Sequence, residues 1–199
     1  MNHASQGLHA RRGFSMIEML LVLALVGVIT TKLAMVLQQA SEVHRTESSG
    51  IALQDQANRV IDQIAWKVLS ARRESLTPAP EAPDYAVRLR YQVHMGFEDG
   101  EVVMGDPEVI GLTDTGEQVY WGLEDNSRTV VWCNTVANYL MNEIGGDDLD
   151  NNENSLFDEA GLAFDVDRDL VRIQLTLRRL LSSGEVITFH EETAVTCRN

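Results

Sequence analysis

Apolar residues fill one long stretch near the N-terminal end of the chain, from Phe14 to about Val36. Glu18 and the segment Thr30-Thr31-Lys32 are its polar interruptions. At about 1.5 Å per helical residue, the part from Phe14 to Thr31 spans about 27 Å, close to the ~30 Å hydrocarbon core of a bilayer. The pattern therefore predicts a transmembrane helix over residues 14–36. The early carboxylate of Glu18 requires a partner, because an isolated charge in lipid costs several kcal/mol.

The helical pattern continues beyond this apolar run. From Leu33 to Ala71 there is no proline and only one glycine, Gly50, which is the expected position of a kink or break. Apolar residues recur every three or four positions, as in an amphipathic helix, at Leu53, Ala57, Val60, Ile61, Ile64 and Val68. We therefore predict one helix over residues 14–75, whose second half packs against a folded body, with Trp66 buried in that body. Three prolines then predict a connector over residues 76–84.

The pattern changes to alternation from residue 85 onward, which is typical of strands with one apolar side. The predicted strands are Val87–Met95, Glu108–Leu112, Gln118–Trp121, Thr129–Cys133, Leu162–Val166, Leu170–Leu177 and Val186–His190. Turn residues such as Asp99-Gly100 and Ser182-Ser183-Gly184 separate several of them. We predict an α+β fold in which an antiparallel sheet, the head over residues 85–199, packs on the helix. Asn134–Ile144 fits a short helix and a strand equally well.

Charge narrows the possible partners of this head. The formal net charge is −14, which disfavours nucleic acid and anionic lipid headgroups and suits a divalent cation. The two cysteines, Cys133 and Cys197, form a disulfide or remain two buried thiols. The chain has no GxSxG, HExxH, GxGxxG or phosphate-loop motif, so we expect no catalytic activity.

An acidic segment over residues 145–159 is a candidate calcium loop, since side-chain oxygens at alternate positions suit a hard cation. One frame imitates an EF-hand loop with Asp148, Asp150, Asn152 and, at its twelfth position, Glu159. A second frame uses Asp150, Asn152, Asn154 and Asp158. We expect calcium to stabilise this loop. A solvated acidic turn without a cation is the alternative.

The junction before the apolar run has a more specific pattern. Arg11-Arg12-Gly13 is followed by Phe14-Ser15-Met16-Ile17-Glu18 and then by the apolar stretch. This resembles the class III leader of type IV prepilins and type II secretion pseudopilins. The resemblance implies that a prepilin peptidase removes the cytoplasmic leader 1–13 by cutting between Gly13 and Phe14, and methylates Phe14. It also implies that Glu18 pairs with the N-terminal amine of a neighbouring subunit, although pairing within its own chain is an alternative.

The resemblance implies a structural role in a bacterium. We expect a minor subunit of a type II secretion pseudopilus or type IV pilus, similar to J-type pseudopilins or W-type pilins. Its partners would be other pilin or pseudopilin subunits. It would cross the inner membrane once, with the N-terminus in the cytoplasm and a pilin-like head in the periplasm or in a surface filament. Three alternatives are a cleaved signal peptide, a simple membrane anchor, and a membrane-anchored, calcium-dependent binding module outside any filament.

Overall fold

The computed structural model describes residues 15–79, 84–168 and 170–197. The predicted leader 1–13, Phe14, and the connector residues 80–83 lie outside the described residues. The described chain has the predicted α+β arrangement, with one long helix followed by antiparallel strands. It divides into two compact units, the first ending at Thr46 and the second beginning at Glu47.

The elements are α1 (Met16–Leu69), a 3-10 turn (Arg73–Ser75), β1 (Arg88–Tyr91), β2 (His94–Glu98), β3 (Glu101–Met104), β4 (Glu108–Leu112), β5 (Val119–Leu123), β6 (Thr129–Cys133), β7 (Leu162–Asp167), β8 (Leu170–Leu180) and β9 (Val186–Thr196).

The second half of α1 contributes one side to the core of the head. Its buried residues are the six predicted from the helical period, Leu53, Ala57, Val60, Ile61, Ile64 and Val68. The prediction for Trp66 is wrong, since 70% of this side chain is exposed. Trp66 lies two positions from Ile64, about 200° around the helix, and therefore points away from the buried side. The helix runs through Gly50 without interruption and ends at Leu69 rather than at Ser75.

Three antiparallel sheets form the rest of the head. The first has the strand order β1-β4-β5-β6, β2 and β3 form a separate hairpin, and the third has the order β7-β8-β9. Leu89, Ile110 and Val119 of the first sheet and Phe164, Ile173 and Leu175 of the third join the helix residues in one core. Backbone hydrogen bonds between Ala86 and Phe164 connect the first and third sheets. The core is therefore shared by α1 and two of the sheets.

The predicted strand Val87–Met95 is wrong as a single element, because it divides into β1 and β2. Between them, the carbonyl of Gln92 accepts a hydrogen bond from the backbone N–H of Arg72 (3.0 Å). The N–H of Gln92 donates to Ser75 Oγ (2.9 Å). The residues after α1 thus take the backbone bonds that a continuous strand would form with its neighbour. Strand β3 was not predicted, and β8 and β9 extend beyond their predicted ends.

The ambiguous segment Asn134–Ile144 forms neither a helix nor a strand. It begins the covering loop, residues 134–161 between β6 and β7, which lies over β8. Isolated bridges pair Val136 with Leu177 and Tyr139 with Ala160. Consequently the middle of β8, from Ile173 to Leu177, is buried on both sides, including its polar residues Gln174 and Thr176. The loop satisfies both of them. Asn154 Nδ2 donates to Gln174 Oε1 (3.1 Å), and the N–H of Met141 donates to Thr176 Oγ1 (2.9 Å). These bonds hold the loop in place over the sheet.

Candidate functional site

The first part of α1 carries an exposed apolar surface. Within the described residues, α1 is the helix that is long and apolar enough to cross a membrane, and none of its most apolar window is buried. Two of the polar residues that interrupt this segment, Thr30 and Thr31, are compatible with a membrane environment. Thr30 Oγ1 donates to the carbonyl of Val26 (2.9 Å), and Thr31 Oγ1 donates to that of Gly27 (2.8 Å). Because the helix itself satisfies both hydroxyls, they can enter an apolar environment at little cost.

Glu18 lies in the first turn of α1, where the helix dipole favours a negative charge. Its side chain is exposed. Within the part of the chain that the structure describes, its carboxylate forms no ion pair or hydrogen bond. The predicted cleavage position between Gly13 and Phe14 lies outside the described residues. Glu18 therefore enters the apolar segment as a carboxylate without a partner in the described part of its own chain.

The covering loop brings carboxylates from its first half together with carboxylates near its C-terminal end. Carboxylate oxygens of Glu143, Asp147 and Asp158 lie within 4.8 Å of one another. We call these three residues, together with Glu159, the acidic cluster. Asn151 Nδ2 donates to both carboxylate oxygens of Asp147 at 3.1 Å. The cluster thus joins these two parts of the loop through side chains that would repel one another when ionised.

Backbone N–H groups fix the position of Asp158. Its Oδ1 accepts from Gly146 (2.5 Å) and Asp147 (3.2 Å), and its Oδ2 accepts from Asp148 (3.0 Å). Partial desolvation acts to raise the pKa of Asp158, but these backbone bonds outweigh it and hold the pKa below its usual range. Asp158 therefore stays ionised. Gly146 has a φ of +86°, a conformation that favours glycine and lets its N–H point at the carboxylate.

Two tyrosines hold the ends of the loop. Tyr85 donates its hydroxyl to the carbonyl of Asp158 (2.9 Å) and accepts from the N–H of Ala160 (2.8 Å). Burial raises the pKa of Tyr85, so it remains a donor. Tyr139 packs on Gly145 so closely that a Cβ at Gly145 would lie 1.8 Å from its ring. These contacts fix the backbone of the loop in a conformation that places Glu143 and Asp147 close to Asp158.

Glu159 is the most unusual residue of the cluster. Its side chain is 0% exposed, and neither of its carboxylate oxygens has a hydrogen-bond partner within the described residues. Oε2 of Glu143 is also buried without a partner. The carboxylates of Glu143 and Glu159 are neighbours. The pKa of Glu143 is raised, first by burial and then by its contact with Glu159. Asn151 Nδ2 lies 3.5 Å from Glu143 Oε1, but Glu143 Oε2 and both oxygens of Glu159 have no donor within the described residues. Two carboxylates that face each other in this way need either a shared proton or a cation.

The remaining predicted calcium ligands are used differently. Asp150 accepts hydrogen bonds from the N–H groups of Asn154 (3.0 Å) and Ser155 (2.8 Å). Asn152 Oδ1 accepts from the N–H of Asn154 (3.2 Å), and Asn154 itself binds Gln174. Asp148 is exposed. Of the six predicted ligands, the structure thus places Asp158 and Glu159 in the acidic cluster.

Sequence reasoning missed Glu143 and Asp147. Glu143 falls in the segment whose secondary structure the pattern left open, so its position relative to the loop could not be inferred. Asp147 follows Gly145-Gly146 directly. A glycine pair before an acidic residue indicates a turn that can direct backbone N–H groups and carboxylates to one place. This glycine pair was the signal in the sequence from which the position of Asp147 could have been inferred.

Both cysteines belong to the hydrophobic core. Cys133 ends β6 and Cys197 follows β9, and both are buried. Burial raises the pKa of the Cys133 thiol, which lowers its reactivity. A disulfide between Cys133 and Cys197 stays a prediction.

A membrane-length apolar helix followed by a β-rich head defines the class of this protein, an α+β chain with a pilin-like arrangement. Comparison with known protein families is more specific. Residues 8–31 match the family described as the prokaryotic N-terminal methylation motif. The chain therefore carries the class III leader of type IV pilins and pseudopilins. No curated protein and no solved structure matches the chain.

The motif supports a subunit of a pilus or a secretion system, and proteins that carry it are typically structural rather than enzymatic. It implies assembly with other pilin subunits and processing by a prepilin peptidase. Together with the apolar part of α1, it is consistent with membrane anchoring.

Proposed function

We propose that this protein is a minor subunit of a type II secretion pseudopilus or a type IV pilus. One observation carries the proposal: the methylation motif at residues 8–31 continues directly into an exposed apolar helix. Arg11 and Arg12 precede that helix and favour a cytoplasmic N-terminus. The head would then lie outside the cytoplasm, and a bacterial inner membrane is the expected location. The large β-rich head suits a minor subunit of the J-type or W-type class.

The exposed apolar part of α1 requires an apolar environment both before and after assembly. Before assembly, lipid hydrocarbon would surround side chains such as Leu21, Leu25 and Ile29, all of which are exposed. In a filament, helices of neighbouring subunits would replace the lipid. Association of apolar helices from a bilayer depends on van der Waals packing and on a few polar contacts rather than on the hydrophobic effect.

Glu18 is the polar contact in this proposal. Cleavage after Gly13 would give Phe14 a cationic amine, and the Glu18 carboxylate would pair with the amine of a neighbouring subunit. Within the described residues no other group occupies the Glu18 carboxylate, so it is available for such a pair. Such a buried pair offsets part of the desolvation cost and fixes the axial position of one subunit against the next.

The mature N-terminus provides the decisive test. We expect mass spectrometry of the protein purified from bacterial membranes to find a chain that begins with N-methylated Phe14. Replacing Gly13 with Ala should leave the leader attached, because the peptidase would no longer recognise its site. An intact N-terminus in the wild-type protein, or a cut beyond Ile29, would refute the proposal.

A membrane-anchored calcium-binding module is the second candidate, and the acidic cluster favours it. It shares the anchor and the head but predicts no incorporation into a filament. Purified filaments distinguish the two candidates: detection of the chain among the other subunits supports the first, and its restriction to the membrane fraction supports the second.

A further inference from the structure

The acidic cluster concentrates negative charge that the described part of the chain does not neutralise. None of the ion pairs within the described residues includes Glu143, Asp147, Asp158 or Glu159. Burying a carboxylate without a donor or an opposite charge is costly, and Glu159 has neither within that part of the chain. Asn151 and three backbone N–H groups serve the exposed side of the cluster. Asn151 Nδ2 also lies 3.5 Å from Glu143 Oε1, but no donor within the described residues bonds Glu143 Oε2 or either carboxylate oxygen of Glu159.

We propose that a calcium ion binds between Glu143, Asp147 and Asp158, with Glu159 as the fourth carboxylate on the side of Glu143. The site belongs to the head and does not depend on the proposed filament role. It differs from both frames that the sequence indicates: it contains Glu143 and Asp147, and it does not contain Asp148, Asp150, Asn152 or Asn154.

The chemistry of the ligands selects calcium among common cations. All four side chains offer hard carboxylate oxygens, whereas a zinc site usually includes imidazole or thiolate ligands. Calcium accepts six to eight oxygens in flexible geometry, including bidentate carboxylates, while magnesium usually retains several waters. Asn151 can add an amide oxygen, since rotation about its last side-chain bond exchanges its NH₂ group and its oxygen.

The ion would fasten the loop over the sheet. Glu143 and Asp147 lie in its first half, and Asp158 and Glu159 lie near its end, where the N–H of Leu140 donates to the carbonyl of Glu159 (3.0 Å). Closing the loop through a cation reduces the conformational freedom of the residues between these positions. Without the cation, repulsion among four carboxylates acts against the closed loop.

Binding is measured on the full chain in detergent micelles after treatment with a chelator. We expect isothermal titration with calcium chloride to find one ion per chain. At a free calcium concentration about 100-fold above the dissociation constant, the melting temperature should rise by roughly 5–10 °C. Magnesium chloride at the same concentration should give a much smaller rise.

Two substitutions test the ligand set. Glu159→Gln and Glu143→Gln each remove a charge while keeping size and shape. We expect both to abolish at least nine-tenths of the calcium-dependent rise. In the chelated protein, the melting temperature of either variant should equal or exceed that of the wild type, because the new amide donates to the facing carboxylate. A purely structural role for Glu159 would instead lower it.

Glu153→Gln is the matched control, since Glu153 is exposed in the same loop and outside the cluster; it should keep the full response. Asp150→Asn tests the two calcium loops that the sequence predicts, since both of them use Asp150 as a ligand. In the structure Asp150 binds backbone N–H groups instead. The variant should therefore have a lower melting temperature but keep the calcium-dependent rise. Absence of any calcium response in the wild type overturns the proposal. So does loss of the response in Asp150→Asn together with its retention in Glu159→Gln.

Discussion

Glu108 connects the helix to the first sheet through a single carboxylate oxygen. Its Oε2 accepts hydrogen bonds from Tyr91 Oη (2.5 Å) and Trp121 Nε1 (2.7 Å), and it pairs with Lys67 Nζ (2.9 Å). Lys67 also lies 4.2 Å from the centre of the Trp121 ring, a distance that suits a cation–π contact. One residue of α1 and three strand residues thus form a single partly buried network.

The network keeps Glu108 ionised. Burial acts to raise the pKa of its carboxyl, but donors from Tyr91, Lys67 and Trp121 outweigh burial, so the pKa lies below its usual value. The pKa of Tyr91 is raised, first by burial and then by Glu108, which keeps its hydroxyl protonated. The contribution of Glu108 to stability is therefore present above the pKa of an unfolded glutamate, about 4.3. It is lost as the pH falls through the folded-state value.

Replacing Glu108 with Gln should lower the free energy of unfolding by about 1–3 kcal/mol at pH 7, because a charged acceptor of three bonds is lost. The difference from the wild type should shrink as the pH falls through the folded-state pKa of Glu108, because the wild-type carboxyl then becomes protonated too. Denaturation of the detergent-solubilised chain with urea at several pH values measures both effects.

The control for this experiment is Glu74→Gln, which removes an exposed ion pair with Arg72 and should change the free energy of unfolding by less than about 1 kcal/mol. A pH-independent difference between wild type and Glu108→Gln would contradict the role assigned to the charge.

At the scale of elements, α1 combines two different surfaces in one helix. Its first part exposes apolar side chains on all sides, and the window suited to a membrane has no buried residue. Its second part buries one stripe from Leu53 to Val68. The first pattern is typical of a helix that needs an apolar environment around it, whereas the second is typical of a helix packed on a folded domain.

Replacing Glu18 with Ala tests the proposed role of α1 in filament assembly. Membrane insertion should be unaffected, because the substitution makes the apolar run more hydrophobic. Incorporation into filaments should fall at least about tenfold, since the amine of Phe14 would be buried without its partner. Immunoblots of membrane and sheared-filament fractions measure both quantities.

Glu42→Ala is the matched control, because Glu42 is an exposed carboxylate farther along the same helix. It should change neither fraction. Equal incorporation of Glu18→Ala and wild type would argue against the proposed pairing of Glu18.

At the scale of the whole molecule, the division at Thr46 and Glu47 separates the exposed apolar segment from the folded head. The second unit keeps the complete buried stripe of α1, including Leu53, Ile64 and Val68, which are each 0% exposed. It also keeps the network around Glu108 and the acidic cluster. The interactions that stabilise the head are therefore local to this unit.

A chain that begins at Glu47 should thus be soluble, folded and monomeric without detergent. Circular dichroism with thermal melting and size-exclusion chromatography measure this. A chain that begins at Ala71 is the contrasting variant: it loses the buried stripe, and each fully buried Leu, Ile or Val contributes about 1.5–3 kcal/mol. It should fail to fold cooperatively. Aggregation of the first variant, or cooperative folding of the second, would contradict this division.

The sequence by itself determined the features that depend on local periodicity. The apolar run after Gly13 and the carboxylate at Glu18 predicted a membrane-length helix and its family motif. The three- and four-residue spacing predicted the buried stripe from Leu53 to Val68. Alternation predicted most strands of the head, because side chains of a strand point to opposite sides in turn. Each of these signals lies within neighbouring residues of the chain.

Only the tertiary structure decided the features that depend on distant residues. The backbone N–H of Arg72 and the side-chain hydroxyl of Ser75 bind the backbone carbonyl and N–H of Gln92, which divides a predicted strand in two. The acidic cluster joins Glu143 and Asp147 to Asp158 and Glu159, because the loop closes over β8 and buries Glu159 there. Proximity across a loop is a property of the fold, and residue spacing alone does not encode it.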